Sequence, residues 1–183
     1  LKDRMGEQVF ADGIHIIDDP FRPMGMGSRS HDGEGLPVQE THLIDNGRLT
    51  SWLLNSSSAR QLGMEPNGFS ALGFGDPPGV TTSNLYLKAG DKTPGELVKG
   101  AGKGLLVTDM FGPSINPNNG DYSVGVSGFW FEAGEIAYPV SEVTIAGDLP
   151  SMFARLIPAS DLEFRGTRDA PSILIEDMSL AGS

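Results

Sequence analysis

Apolar residues in this chain recur mostly at alternate positions over short runs, broken by glycine, proline and asparagine, the pattern of strands joined by turns. The spacing predicts a strand over residues 14–18, then a long irregular stretch over 19–36, rich in Gly, Pro, Met and Ser. Residues 38–45 and 48–54 flank Asn46-Gly47, a pair suited to the positive φ values of a tight hairpin turn. Asn55 and Ser56 are placed to cap a short helix that carries Ala59, Arg60 and Leu62 and closes at Gly63. Residues 64–83, with Gly73, Gly75, Gly79 and Pro77-Pro78, read as a second irregular stretch.

A strand over 84–88 is followed by Thr93-Pro94-Gly95-Glu96, a capping box with proline at the first helical position, and Leu97 and Val98 ride on that helix. Residues 105–110 predict a buried strand. Tyr122, Val124, Val126, Gly128 and Trp130 suit a twisted strand, Glu132-Ala133-Gly134-Glu135 turns it, and Ile136, Tyr138 and Val140 restart an apolar face. Asp148 is expected to cap a helix with Met152, Phe153 and Leu156, before final strands near 161–164 and 173–175. Together these elements predict a β-rich α+β fold: a curled antiparallel sheet or open β-barrel with two or three short helices.

Composition narrows the picture. A length of 183 residues fits one domain over 1–183, or a domain with a small satellite. The net charge of −11 excludes direct nucleic-acid binding, which needs a basic surface. Without cysteine there are neither disulfides nor thiolate metal ligands. No apolar run approaches the roughly 20 residues that span a bilayer, so no membrane partner is expected and the cytoplasm is the simplest location. The opening Leu1-Lys2-Asp3-Arg4-Met5-Gly6 reads as a helix tail closed by glycine, and suggests a domain from a longer chain.

Candidate chemistry is sparse. His15, His31 and His42 lack the helical spacing that sets two imidazoles on one metal, and no metal ligand is assigned. Ser127, in Gly125-Val126-Ser127-Gly128, falls short of a nucleophile elbow, and no catalytic residue is assigned either. Gly100-Ala101-Gly102-Lys103-Gly104 has no Ser or Thr after the lysine and leads into a strand, so a helix cap and turn is expected there instead of a phosphate loop. Asn116, Asn118 and Asp121 lack calcium-loop spacing and suit side-chain turns. Asp32 and Glu34, each followed by glycine, are read as solvated acids or as residues that shape the fold.

The stretch over 120–139, extended through Val140-Ser141-Glu142-Val143-Thr144-Ile145-Ala146-Gly147-Asp148-Leu149, resembles the C-terminal signature of the TldD/PmbA family, the so-called modulators of DNA gyrase. Asp32-Gly33-Glu34-Gly35, Thr41-His42-Leu43-Ile44-Asp45-Asn46-Gly47, Leu53-Leu54 and Ser58-Ala59-Arg60 resemble its central block in the same order. Gly104-Leu105-Leu106-Val107-Thr108-Asp109-Met110-Phe111-Gly112 and Pro171-Ser172-Ile173-Leu174-Ile175 extend the resemblance over nearly the whole chain.

The resemblance implies a metallopeptidase system. Active subunits of the family carry a His-Glu-x-x-x-His helix in an N-terminal half, and a cysteine from the C-terminal half completes their zinc site. Partner subunits of the PmbA/TldE type lack these ligands. This chain departs from the zinc-bearing pattern, which implies a PmbA/TldE-like member without cofactor. It would pair with a TldD-like zinc subunit to enclose and cleave unfolded peptide, the partner otherwise being a second copy of itself. Gly120, Asp121, Tyr122, Ser123, Gly125 and Gly128 are the residues expected to line or shape a peptide channel, and close strand packing explains the glycines equally well. The alternatives are a stand-alone β-sandwich interaction module and a homodimeric member without peptidase activity.

Overall fold

Short-range signals set most element boundaries in the computed structural model, which describes residues 2–73, 75 and 77–182. The expected helix tail at the start is a single 3₁₀ turn, Lys2–Arg4, and Gly6 donates its N–H to the Leu49 carbonyl; Leu1 lies outside the described residues. Next come β1 (Ile16–Asp18), β2 (Thr41–Asp45) and β3 (Arg48–Leu49). Asn46 and Gly47 sit at φ 48° and 77° between β2 and β3, so both turn residues are left-handed, as a two-residue hairpin requires. Helix α1 (Ser56–Leu62) begins at Asn55, which accepts from the Ser58 N–H while the Ser58 hydroxyl accepts from the Asn55 N–H, and ends at left-handed Gly63.

The second irregular stretch contains a two-stranded ribbon, β4 (Ser70–Ala71) with β5 (Gly79–Val80); Phe74 and Asp76 lie outside the described residues. After β6 (Leu85–Leu87) comes α2 (Pro94–Ala101), with the expected capping box between Thr93 and Glu96. Long strands β7 (Gly104–Ile115), β8 (Asp121–Glu132) and β9 (Glu135–Asp148) follow, and α3 (Leu149–Ala154) starts at Asp148. Short strands β10 (Ile157–Pro158), β11 (Arg168–Asp169), β12 (Ile173–Leu174) and β13 (Ser179–Ala181) complete the order.

Three further details differ from expectation. The strand expected over 48–54 is confined to Arg48–Leu49. Residues 161–164 form no strand, because the Asp161 carboxylate instead accepts from the Ser172 N–H and hydroxyl and clasps a loop. Strand β7 is not buried: beyond Val107 every residue is exposed, so no described residue covers either face of that half of the strand, which is also the last in its sheet.

The chain divides into two compact units. The first comprises Leu1–Gln8, Asp12–Lys88 and Leu162–Pro171; the second Val9–Ala11, Ala89–Asp161 and Ser172–Ser183. The first holds a five-stranded sheet of order β11-β6-β1-β2-β3, antiparallel except for the parallel β11–β6 pair, over a core that includes Ile14, Ile17, Ile44 and Phe69. The second holds a four-stranded antiparallel sheet of order β13-β9-β8-β7 and the β10–β12 pair, with Val124, Val126, Phe131 and Met152 buried. The architecture is β-rich α+β with short helices, and no sheet closes into a barrel among the described residues. No helix among them is long and apolar enough to cross a membrane.

Candidate functional site

Five of the six residues expected at a peptide channel lie on β8, and the sixth, Gly120, ends the β7–β8 loop at φ 87°. Strand β8 is central in its sheet. Gly125 faces Phe111 of β7 and Thr144 of β9, and Gly128 faces Val107 and Val140, so the β8 backbone is hydrogen-bonded to its neighbours on both sides. A Cβ placed on Gly128 would lie 2.0 Å from the Leu106 carbonyl oxygen, so this glycine lets two backbones approach. Tyr122 and Ser123 are half-buried, the Tyr122 hydroxyl lies 4.0 Å from the Met110 sulfur, and Asp121 accepts from the Asn119 amide at 2.6 Å.

The sheet ends on one side at β7, whose exposed side chains include Met110, Phe111 and Ile115, and on the other at the short β13, which pairs with Thr144–Ala146 of β9. Between α2 and the sheet, Val98, Leu106, Phe131 and Ile136 line an apolar cavity of about 240 Å³ with Lys99 at its rim. The hairpin turn closes beside it, with Ala133 and Gly134 at φ 51° and 78° and the Gly134 N–H on the Gly102 carbonyl at 2.8 Å. An apolar, backbone-rich edge next to an apolar groove suits an extended polypeptide, which supplies main-chain partners and alternate side chains together.

The remaining motifs resolve into scaffolding. Asp32 is buried: Oδ1 accepts from the Glu34 and Leu36 N–H groups and Oδ2 from the Ser70 N–H, which ties the 19–36 stretch to β4. Glu34 accepts from the Ser56 N–H and hydroxyl at the start of α1, so neither acid is merely solvated. The 100–104 segment caps α2 and turns into β7, and the 116–121 loop turns through Asn116 and Asn119 side-chain bonds to the N–H groups of Asn118 and Asp121. Ser127 lies within β8, with its carbonyl 3.4 Å from the Thr108 hydroxyl.

One cluster escaped the sequence reading. Strand pairing sets Ile17 against His42, which brings His15, His42 and Asp45 together with their ligating atoms all within 4.8 Å of one another. The signal is the pairing of two strands far apart in sequence, which helical spacing rules do not detect. His31 lies elsewhere, in a bridge to Pro37.

The two-stranded turns, the open sheets and the β7 edge define a strand-rich domain able to present backbone and apolar surface to another chain. Comparison with known proteins gives the family. Residues 1–182 match the PmbA/TldA metallopeptidase C-terminal domain, and the chain belongs to the PmbA/TldD family. The whole chain is 36% identical to the Metalloprotease PmbA of Escherichia coli O157:H7 and 38% identical to a Metalloprotease PmbA homolog of Haemophilus influenzae, in each case over 39% of the relative's length. The crystal structure of a Thermotoga maritima protein, described as a candidate modulator of a DNA gyrase, superimposes with a TM-score of 0.85 at 34% identity, over 97% of this chain and 41% of that one. The chain thus spans about two fifths of the length of the relatives it matches. Membership along 182 residues sets aside the stand-alone β-sandwich module.

Proposed function

We propose that this chain is the C-terminal part of a non-zinc, PmbA/TldE-type subunit that pairs with a zinc-bearing TldD-type subunit to enclose and cleave unfolded peptides. The observation that carries this reading is the chain's lack of cysteine, the residue that this domain contributes to the zinc centre in active subunits of the family. Its histidines do not replace that centre's helical pair: His15 precedes β1, His31 is in a loop and His42 is in β2. The residues present do not fit the family's zinc, so no step of peptide hydrolysis is assigned to this chain.

Its contribution is to hold peptide and partner. The unpaired β7 edge can accept an extended segment by main-chain hydrogen bonds, which tolerate any sequence, and the apolar groove beneath α2 favours segments exposed by unfolding. Tyr122 and Ser123 of β8 serve as wall residues of the channel, and Gly128 sets the strand spacing.

The test is peptidase activity of the full-length protein with a fluorogenic unfolded peptide, alone and with a zinc-bearing TldD-type subunit of the same organism. Cleavage only in the mixture is expected. Cleavage by the protein alone overturns the reading, whereas inactivity in both cases favours the homodimeric member without peptidase activity.

A further inference from the structure

We propose that His15, His42 and Asp45 form a binding site for a divalent transition-metal ion of the zinc type, an inference independent of the function proposed above. His15 Nδ1 lies 2.8 Å and His42 Nδ1 3.4 Å from the same Asp45 Oδ1. Ligands held about 2.0–2.1 Å from a tetrahedral zinc stand roughly 3.3 Å from one another; the two donor pairs at 2.8 and 3.4 Å bracket that spacing, and all three ligating atoms lie within 4.8 Å of one another, so small side-chain rotations bring them onto one ion. Two imidazole nitrogens and one carboxylate oxygen suit Zn²⁺, Ni²⁺ or Cu²⁺ better than the all-oxygen cations Ca²⁺ and Mg²⁺.

The site is built from backbone that needs no rearrangement. His42 and Asp45 belong to β2 and His15 adjoins β1, its antiparallel neighbour. The turn beyond Asp45 is pinned by the Gly47 N–H on the Ile14 carbonyl at 2.8 Å and by the Gly13 N–H on the Asn46 side chain at 2.7 Å. The Asn46 N–H lies 3.4 Å from His15 Nδ1, a long hydrogen bond that ligation replaces. Glu40 Oε1 is 3.9 Å from His42 Nε2, the nitrogen left over when Nδ1 binds metal; that is too far for a hydrogen bond, and its negative charge favours a cation nearby. With side-chain exposures of 24% for His15, 41% for His42 and 51% for Asp45, the fourth position opens to water, so the ion is exchangeable.

The competing account is a trio held only by hydrogen bonds. Titration separates the two. The full-length protein, dialysed against chelator, is titrated calorimetrically with ZnCl₂ beside His42→Ala and Asp45→Asn. Comparing variants with wild type cancels any zinc bound elsewhere on the chain, and the readout does not depend on peptidase activity. The expected result is that His42→Ala takes up one Zn²⁺ fewer per chain, Asp45→Asn binds that ion at least tenfold more weakly, and Co²⁺ absorption from the site disappears in both. Melting temperatures in chelator should match wild type, because both side chains are exposed. Should His42→Ala melt early, Asp45→Asn, which keeps an acceptor oxygen, still decides. Equal zinc uptake and affinity in wild type and variants overturn the proposal.

Discussion

Gly125 and Gly128 share β8 yet have opposite tolerances, although both stood out in sequence as glycines within a strand. A methyl group at Gly128 meets the Leu106 carbonyl oxygen at 2.0 Å, whereas at Gly125 the nearest atom, the Phe111 oxygen, is 3.4 Å away. Gly128→Ala is therefore expected to destabilise the fold by about 2–4 kcal/mol and Gly125→Ala by less than about 1 kcal/mol, measured by urea denaturation. Asp32 was legible as a residue that shapes the fold, but its burial was not. Its Oδ1 serves two N–H groups and its Oδ2 a third, so Asp32→Ala leaves donors without partners and costs about 2–3 kcal/mol. Asp32→Asn also loses stability, because its NH₂ group faces a donor. A variant as stable as wild type would refute this role.

At the scale of elements, local chemistry was readable because caps involve neighbouring residues. Thr93 with Glu96, Asn55 with Ser58, and Asp148 with Ser151 all close as their sequences imply. The Thr93 N–H and hydroxyl hold the Glu96 carboxyl below its usual range, and the Ser151 hydroxyl and N–H do the same for Asp148. A carboxyl whose folded value is depressed stabilises above its unfolded value of about 4 and loses that contribution as pH falls through the folded value. Melting curves should thus show Glu96→Gln less stable than wild type at neutral pH, with the gap closing in acid below about pH 4. A gap that persists would show that the charge plays no part in the cap. Thr93→Ala, tested the same way, should cost about 1 kcal/mol. The failures at this scale were non-local: residues 161–164 were drawn into a loop by Ser172, and β4 and β5 found each other across a stretch that lacks alternation.

At the scale of the whole molecule, the exposed β7 edge is where the proposed pairing can be tested. Met110 and Phe111 on β7 remain 63% and 60% exposed between two register shifts of the strand, and an apolar edge is a template for pairing unless another chain covers it. Met110→Lys combined with Phe111→Lys is expected to leave the melting temperature of the isolated protein unchanged and, if the proposed pairing with a zinc-bearing subunit uses this edge, to abolish it, read by analytical ultracentrifugation. Normal pairing would move the interface away from β7. The sequence suggested a buried strand here because its apolar run looks the same at the centre of a sheet as at its margin. Only the strand order β13-β9-β8-β7 places β8 inside and β7 outside.

The sequence by itself determined the strand-rich class, the hairpin turns at Asn46-Gly47 and Ala133-Gly134, the helix caps and the family blocks, since each depends on residues close together in the chain. The tertiary structure alone decided that β7 lies at a sheet edge, which glycine is sterically required, and that His15 meets His42 and Asp45. Those outcomes depend on pairing between distant segments, whose register is fixed by collective burial and backbone hydrogen bonding, and no local pattern encodes it.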